Sequence, residues 1–351
     1  MIKFFDGGMG SMLNLAAGEL PEKLNISDPE RVFAVHDAYA KAGAQFITAN
    51  TFGANSLKYD NVDELVKAGV ALAKKAGKKV ALDLGPTGKL LKPMGDLEFE
   101  KAVELFGEVV RAGKDGSDVA IIETMSDMYE LKAAVLKENS DLPIITSMIF
   151  DESGRLLTGG DVKSAVAMLE GLRVDAIGFN CGLGPKQMIP LVKELRECTS
   201  LPIIVMPNAG LPESVDGKTV YNVSPDEFAN DMKEIAELGV SILGGCCGTT
   251  PAHIKRMIEL CKDIDDNIPE KKNDTVVCSY STSVTIGQKP VVIGERINPT
   301  GKKLFKEALR NNNIDYIIKE GIAQQEKGAH ILDVNVGLPE IDEVQMLQDA
   351  V

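Results

Sequence analysis

An eightfold recurrence of one pattern constrains this chain more than any other feature. Through roughly the first 260 residues, a short apolar or β-branched run leads into a polar or glycine break and then an amphipathic stretch of helical period. The runs are "KFFDGG" from Lys3, "QFITANT" from Gln45, "KVALDLGP" from Lys79, "VAIIET" from Val119, "PIITSMIF" from Pro143, "AIGFNC" from Ala176, "PIIVMPNAG" from Pro202 and "SILGGCCG" from Ser241. The stretches that follow them are Pro29 to Ala42, Asp63 to Lys75, Glu98 to Gly113, Met128 to Glu138, Lys163 to Leu169, Pro185 to Arg196, Pro225 to Leu238 and Pro251 to Cys261. Strands alternating with helices predict a parallel sheet, and eight units of roughly thirty residues fit a closed (β/α)8 TIM barrel better than an open doubly wound sheet. In the first unit the long polar loop "NLAAGELPEKLNISDPE" separates strand from helix, with Asp28 as an N-cap before Pro29.

The pattern stops after the eighth unit. Residues 1–262 therefore read as the barrel, and the polar, turn-rich stretch 263–289 as an interdomain linker. Residues 290–351 restart the alternation, with a strand in "PVVIGERINPTG", a helix over about Asn313 to Lys327, a second strand in "HILDVNVG" and a further helical stretch at the end. Two strands and one complete helix cannot close a core. The expectation is an incomplete second α/β barrel, the front of a longer protein.

Charge and cysteine usage narrow the function. The net charge of −14 comes without any basic stripe, so nucleic acid and anionic membrane are not expected partners. The start "MIKFFDGGMG" lacks an apolar run of signal-peptide length, and a cytoplasmic protein is expected. Six cysteines scattered through 351 residues are free thiols or metal ligands in a reducing compartment. The three histidines lie in or beside helical and strand patterns, which disfavours chemistry built on a histidine base. The G-x-G-x-x-G phosphate spacing is absent from "DGGMGS" and "GLGP".

In a barrel of this kind the working face is where strands end and loops begin. Those ends carry Asp6-Gly7-Gly8, Asn50-Thr51, Asp83, Glu123, Asn180-Cys181, Asn208 and Cys246-Cys247. Adjacent residues on a regular strand point to opposite faces, so Cys246 and Cys247 reach one point only if the glycine-flanked backbone "GGCCG" curls. Strands six and eight are separated by one strand, which sets their ends roughly 10 Å apart. One metal ion over the mouth is then within reach of Cys181, Cys246 and Cys247. Three thiolates favour zinc and leave a fourth position open, which Asn208 can fill when no thiol is bound. Buried free cysteines also serve as small hydrophobes, and a vicinal disulfide at Cys246-Cys247 is a further reading, one that leaves Cys181 without a role.

A zinc with three thiolates already carries net negative charge and acidifies water weakly, so hydrolysis is disfavoured. It can still accept an incoming thiol as a thiolate, and thiol alkylation follows. Asp6 and Glu123 suit an ammonium group, and the amides of Gly7 and Gly8 suit a carboxylate, which together describe an amino-acid substrate. The same positions also read as loop caps and turn residues.

The motifs "DGGMGS", "ANTF", "ETM", "FNC", "PNAG" and "GGCCGTTPAHI", in this order, resemble the homocysteine S-methyltransferase family over residues 1 to about 262. The resemblance implies zinc on Cys181, Cys246 and Cys247 and homocysteine as substrate, held by Asp6, Gly7, Gly8 and Glu123. Ser11 stands where relatives commonly carry threonine, which keeps the hydroxyl. "GERINPTGKK" and "ILDVNVG" resemble the start of the pterin-binding barrel of cobalamin-dependent, methionine-forming members. That implies methylcobalamin as donor, carried by a cobalamin-binding domain or protein and recharged from methyltetrahydrofolate, with Asn298, Asp333 and Asn335 near the pterin. Three rivals stand beside it. Betaine or S-methylmethionine can serve as donor; a thiol-disulfide or aldolase-type barrel needs no stoichiometric zinc; and a non-catalytic module can bind homocysteine and zinc and dock onto a cobalamin protein.

Overall fold

Strands buried on both faces need continuous apolar runs, and the eight runs supply them. In the computed structural model, which describes residues 1–16, 18–135, 140–215 and 218–351, they form β1 (Lys3–Phe4), β2 (Phe46–Thr48), β3 (Lys79–Leu84), β4 (Val119–Met125), β5 (Ile144–Met148), β6 (Ala176–Asn180), β7 (Ile203–Met206) and β8 (Ile242–Leu243). Every residue of β5, β6 and β7 is buried. Neighbouring strands pair in parallel in chain order from β2 to β8, and β8 pairs with β1. Alternation divides the apolar residues between two packings. Ala81, Ile121, Ile145, Ile204 and Met206 share the smaller cluster, which fills the barrel. Val80, Leu82, Ile122, Ile203 and Val205 belong to the larger one, against the surrounding helices.

The last seam, between β1 and β2, is closed largely by side chains. The Gln45 amide donates to the Phe4 carbonyl at 2.8 Å, and the Asp6 carboxylate accepts from the Thr48 N–H at 3.0 Å and its hydroxyl at 2.7 Å. The rings of Phe5 and Phe46 stack with centroids 4.8 Å apart.

The helices of the eight units are α1 (Pro29–Ala42), α2 (Val62–Lys75), α3 (Phe99–Gly113), α4 (Met128–Ala134), α5 (Val162–Gly171), α6 (Pro185–Cys198), α7 (Pro225–Glu237) and α8 (Pro251–Cys261), and the first loop, expected to be plain, carries a further short helix at Leu24–Ser27. Local chemistry sets their starts. Asp28, Asp127 and Asp161 each accept the N–H three residues on, and Ser224 forms a reciprocal capping box with Glu227. The expected stretch Met128 to Glu138 ends as a helix at Ala134, and its positions 136–138 lie outside the described residues. A short hairpin, Glu213–Val215 with Lys218–Val220, stands between β7 and α7 where only a loop was expected.

The chain divides into two compact units, Met1–Lys272 with Cys278–Thr282, and Asn273–Val277 with Ser283–Val351. The stretch 263–289, expected to be a plain linker, contains two paired strands, β9 (Thr275–Cys278) and β10 (Ser283–Ile286). Their β-branched runs "TVV" and "SVTI" carried that signal amid polar neighbours. In the second unit β11 (Ile293–Ile297) pairs in parallel with β12 (Ile331–Val334). Helices α9 (Lys303–Arg310) and α10 (Ile314–Glu326) lie between them in sequence, and α11 (Glu343–Ala350) follows. Helix α9 was not anticipated. Ile297, Phe305, Leu309, Ile317 and Met346 form the small core of this unit. Among the described residues no helix is long and apolar enough to cross a membrane.

Candidate metal and substrate site

The adjacent cysteines after β8 do sit on a curled backbone. The Gly245 N–H donates to the Asp6 carbonyl at 2.9 Å and the Cys246 N–H to the Pro207 carbonyl at 2.9 Å, while the Cys247 carbonyl accepts from the Ala209 N–H at 2.9 Å. The Cys246 carbonyl then receives both the Thr249 N–H, at 3.1 Å, and its hydroxyl, at 2.6 Å. Gly248, at φ +77°, completes the turn, and a Cβ there would lie 2.3 Å from the ring of Tyr221.

Cys181 comes from the end of β6 in the left-handed region, at φ +57°, unusual for a residue other than glycine. That conformation turns its sulfur toward the β8 turn. The Sγ atoms of Cys181, Cys246 and Cys247 all lie within 4.8 Å of one another, with Cys181 and Cys247 at 3.9 Å. A tetrahedral zinc with bonds of about 2.3 Å sets its sulfurs about 3.8 Å apart, so the spacing fits that ion. Asn208 lies between Pro207 and Ala209, which bond the backbone of Cys246 and Cys247, and its buried Oδ1 lacks a hydrogen-bond partner among the described residues. A buried acceptor of this kind, beside three thiols, suits a cation.

The thiols perturb one another. Cys247 is lowered to about 3 by hydrogen bonding from Cys181 and then Cys246, and Tyr221 adds a further hydrogen bond. Cys246 is pushed well above the ordinary thiol range by its bond with Cys181, then by Cys247 and burial. The charge thus concentrates on one sulfur, and a divalent ion bound by all three would displace the protons of the other two.

Beside the sulfurs lies a set of carboxyls, Asp6 and Asp83 buried and Glu123 half-buried. Burial raises Asp6 to about 7 against the opposing effect of its Thr48 hydrogen bonds. Burial, then the charge of Asp6, then that of Cys247, raise Glu123 to about 8. Asp83 is raised well above the carboxylate range by burial and by Glu123, Glu22 and Asp6, and its Oδ1 is buried without a partner. A cation entering beside such a group favours its ionised form.

Gly7 and Gly8 are packed too closely for side chains. A Cβ on Gly7 would lie 2.5 Å from the Thr249 hydroxyl oxygen, and one on Gly8 2.7 Å from the Cys246 carbonyl oxygen. The Gly8 N–H already donates to Thr249 Oγ1 at 3.1 Å, so an incoming carboxylate would share that amide. The Ser11 hydroxyl donates to the Gly8 carbonyl at 3.3 Å.

The pterin-type candidates belong to the second unit. Asn298 follows β11, Asp333 lies within β12 and Asn335 follows it, with the Asn335 N–H donating to the Ile297 carbonyl at 2.8 Å. The side-chain oxygens of Asn298 and Asn335 accept from Thr300 and Gly337 N–H at 2.9 Å each, and Asp333 is exposed.

Sequence reasoning gave no role to Tyr39, Asn180 or Tyr221. The buried Tyr39 hydroxyl joins the first and last loops, at 3.2 Å from the Gly8 carbonyl oxygen and 2.9 Å from that of Thr249. Tyr221 is brought in by His253. The His253 Nδ1 accepts from the Thr250 N–H, which leaves Nε2–H to donate to the Val223 carbonyl at 2.9 Å. No local pattern marks Tyr221, whose loop is bonded at Val223 to a histidine thirty residues further along the chain. Asn180 alone offered a signal, the pair "NC" at a strand end.

A family model described as homocysteine S-methyltransferase matches residues 3–261. The methionine synthases of Mycobacterium leprae and Mycobacterium tuberculosis are each 32% identical over 94% of this chain, which spans 31% of their length. Among solved structures, the metallated homocysteine methyltransferase MmuM from Escherichia coli superposes with a TM-score of 0.62 at 23% identity, covering 73% of this chain and 95% of that one. Its apo form superposes with a TM-score of 0.60 at 26% identity, covering 74% and 95%.

Proposed function

This chain belongs to the homocysteine S-methyltransferase family, and from that premise we propose that it transfers a methyl group to the thiol of homocysteine, giving methionine. The observation that carries the reading is the sulfur trio, with Cys181 and Cys247 at the 3.9 Å spacing of a tetrahedral thiolate site. Cys181, Cys246 and Cys247 hold zinc, and Asn208 Oδ1 fills the fourth position in the absence of substrate. When bound, zinc supplies a Lewis acid that keeps an incoming thiol ionised at neutral pH.

The chain's own residues orient the rest of the substrate. Asp6 and Glu123 receive the ammonium group, which allows both carboxyls to ionise, and Asp83 adds a third acceptor with a spare oxygen. The amides of Gly7 and Gly8 receive the carboxylate. Held at both ends and already deprotonated, the thiolate would be aligned for in-line displacement at the donor's methyl carbon, the S–C bond forming as the donor–methyl bond breaks and its electron pair leaves with the donor, and positioning lowers the barrier.

Methylcobalamin, recharged from methyltetrahydrofolate, is the proposed donor, brought by a cobalamin-binding domain or protein. The mycobacterial relatives named methionine synthase, about three times this chain's length, support that choice over betaine or S-methylmethionine. On this reading residues 1–262 are the homocysteine barrel, 263–289 join it to the next domain, and 290–351 begin a pterin-binding barrel in which Asn298, Asp333 and Asn335 face the pterin. The free thiols suit the cytoplasm. Separate assays of methionine formation with methylcobalamin, betaine and S-methylmethionine test the donor. Turnover with betaine or S-methylmethionine, and none with methylcobalamin, would overturn it.

A further inference from the structure

Asn180 ends β6, fully buried, one residue before Cys181. Its Oδ1 accepts from the Thr124 N–H at 2.8 Å and the Ser147 hydroxyl at 2.9 Å. Its Nδ2 donates to the Thr124 hydroxyl oxygen at 2.8 Å and to Cys246 Sγ at 3.8 Å. All four hydrogen-bonding positions of the carboxamide are used. The Thr124 N–H can only donate, so it fixes which end is the oxygen and directs Nδ2 at the sulfur.

Thr124 is β-branched and held at φ +60°, a conformation such residues adopt only when their surroundings impose it. Here the surroundings are the two bonds from Asn180. The residue before Thr124 is Glu123, proposed above to receive the substrate ammonium. One side chain thus bonds the Cys246 thiol, adjoins Cys181 in the chain and clamps the residue next to the ammonium acceptor.

Resting on the function proposed above, we infer that Asn180 is a positioning residue that ties the metal thiolates to the amino-acid end of the substrate site. Its N–H stabilises negative charge on Cys246 and fixes the direction of that sulfur, as hydrogen bonds to metal ligands do. Its grip on Thr124 sets where Glu123 stands. The metal grip and the homocysteine affinity are therefore coupled through one carboxamide.

The test compares wild type with Asn180→Asp, Asn180→Ala and Ser147→Ala. Asn180→Asp keeps oxygens for the Thr124 N–H and Ser147 hydroxyl and loses the donor to sulfur; Ser147→Ala removes a bond to the same carboxamide and leaves that donor. Each protein is loaded with Co(II) in place of zinc, and the sulfur-to-metal charge-transfer band, the zinc affinity against a competing chelator and the homocysteine affinity are read. Both Asn180 variants are expected to shift the band and weaken zinc about 10–100-fold, with weaker homocysteine binding, while Ser147→Ala keeps the wild-type band. Wild-type values in Asn180→Asp would overturn the inference. So would failure of both Asn180 variants to fold by circular dichroism, which would make the residue part of the barrel core alone. Wild-type protein that takes up neither metal would instead overturn the proposed function.

Discussion

Cys181 Sγ and Cys247 Sγ lie 3.9 Å apart although 66 positions separate them in the chain. The barrel brings their strand ends near, and two local backbone turns do the rest: left-handed Cys181 on one side and the Gly248 turn on the other. The β8 turn also bonds Asp6, Pro207 and Ala209 through its backbone. The sulfurs are held by the same bonds that close the barrel mouth.

Removing one sulfur should therefore cost metal and leave the fold intact. Cys246→Ala is expected to lose zinc and methyl transfer together, with an unchanged circular dichroism spectrum. Zinc-dependent turnover in that variant would remove Cys246 from the site.

The helix starts were legible because their causes are local. Asp28 before Pro29 marks α1 to the residue. The convergence of Cys181, Cys246 and Cys247 was legible from strand counting, since alternation and barrel order together say which ends are close. Contacts that depend on distant segments were not. The bond of Asp6 to Thr48 across the seam, the carboxamide of Asn180 on Cys246 and the place of Tyr221 each join parts of the chain that no window of sequence contains. The hairpin at 213–220 was hidden by strands of only three residues.

Glu123→Ala should weaken homocysteine binding while retaining zinc. A hydrogen bond to a charged group contributes about 1.5–3 kcal/mol, so the dissociation constant should rise about 10–100-fold by calorimetry. Asp83→Asn should act in the same direction through the lost negative charge. Unchanged affinity in both would separate the carboxyl group from the substrate.

The raised carboxyls give a pH dependence of defined sign. Asp6 and Glu123 bind protons more tightly in the folded protein, at about 7 and 8, than in the unfolded chain at 3.8 and 4.5. Their stabilising contribution is complete below the unfolded values and lost as pH rises through the folded ones. Without homocysteine, the melting temperature should fall from pH 5 to pH 8, and Glu123→Gln should flatten that slope. Homocysteine should flatten it too, because its ammonium stabilises the ionised carboxylates. A Glu123→Gln slope equal to wild type would contradict the titration.

Tyr39→Phe takes the hydroxyl donor from the buried Thr249 carbonyl and leaves the Gly8 carbonyl with the Ser11 hydroxyl. The expected loss is about 1–3 kcal/mol of unfolding free energy, measured by urea denaturation. Equal stability would mean that water satisfies the Thr249 carbonyl.

The account depends above all on one ion held by three sulfurs with space for a fourth. X-ray absorption at the zinc edge, on the purified chain of known metal content, tests this directly. The prediction is one zinc per chain with three sulfur neighbours at about 2.3 Å and one lighter atom, replaced by a fourth sulfur when homocysteine is added. Absence of stoichiometric zinc, or a sulfur count that homocysteine does not change, would contradict it.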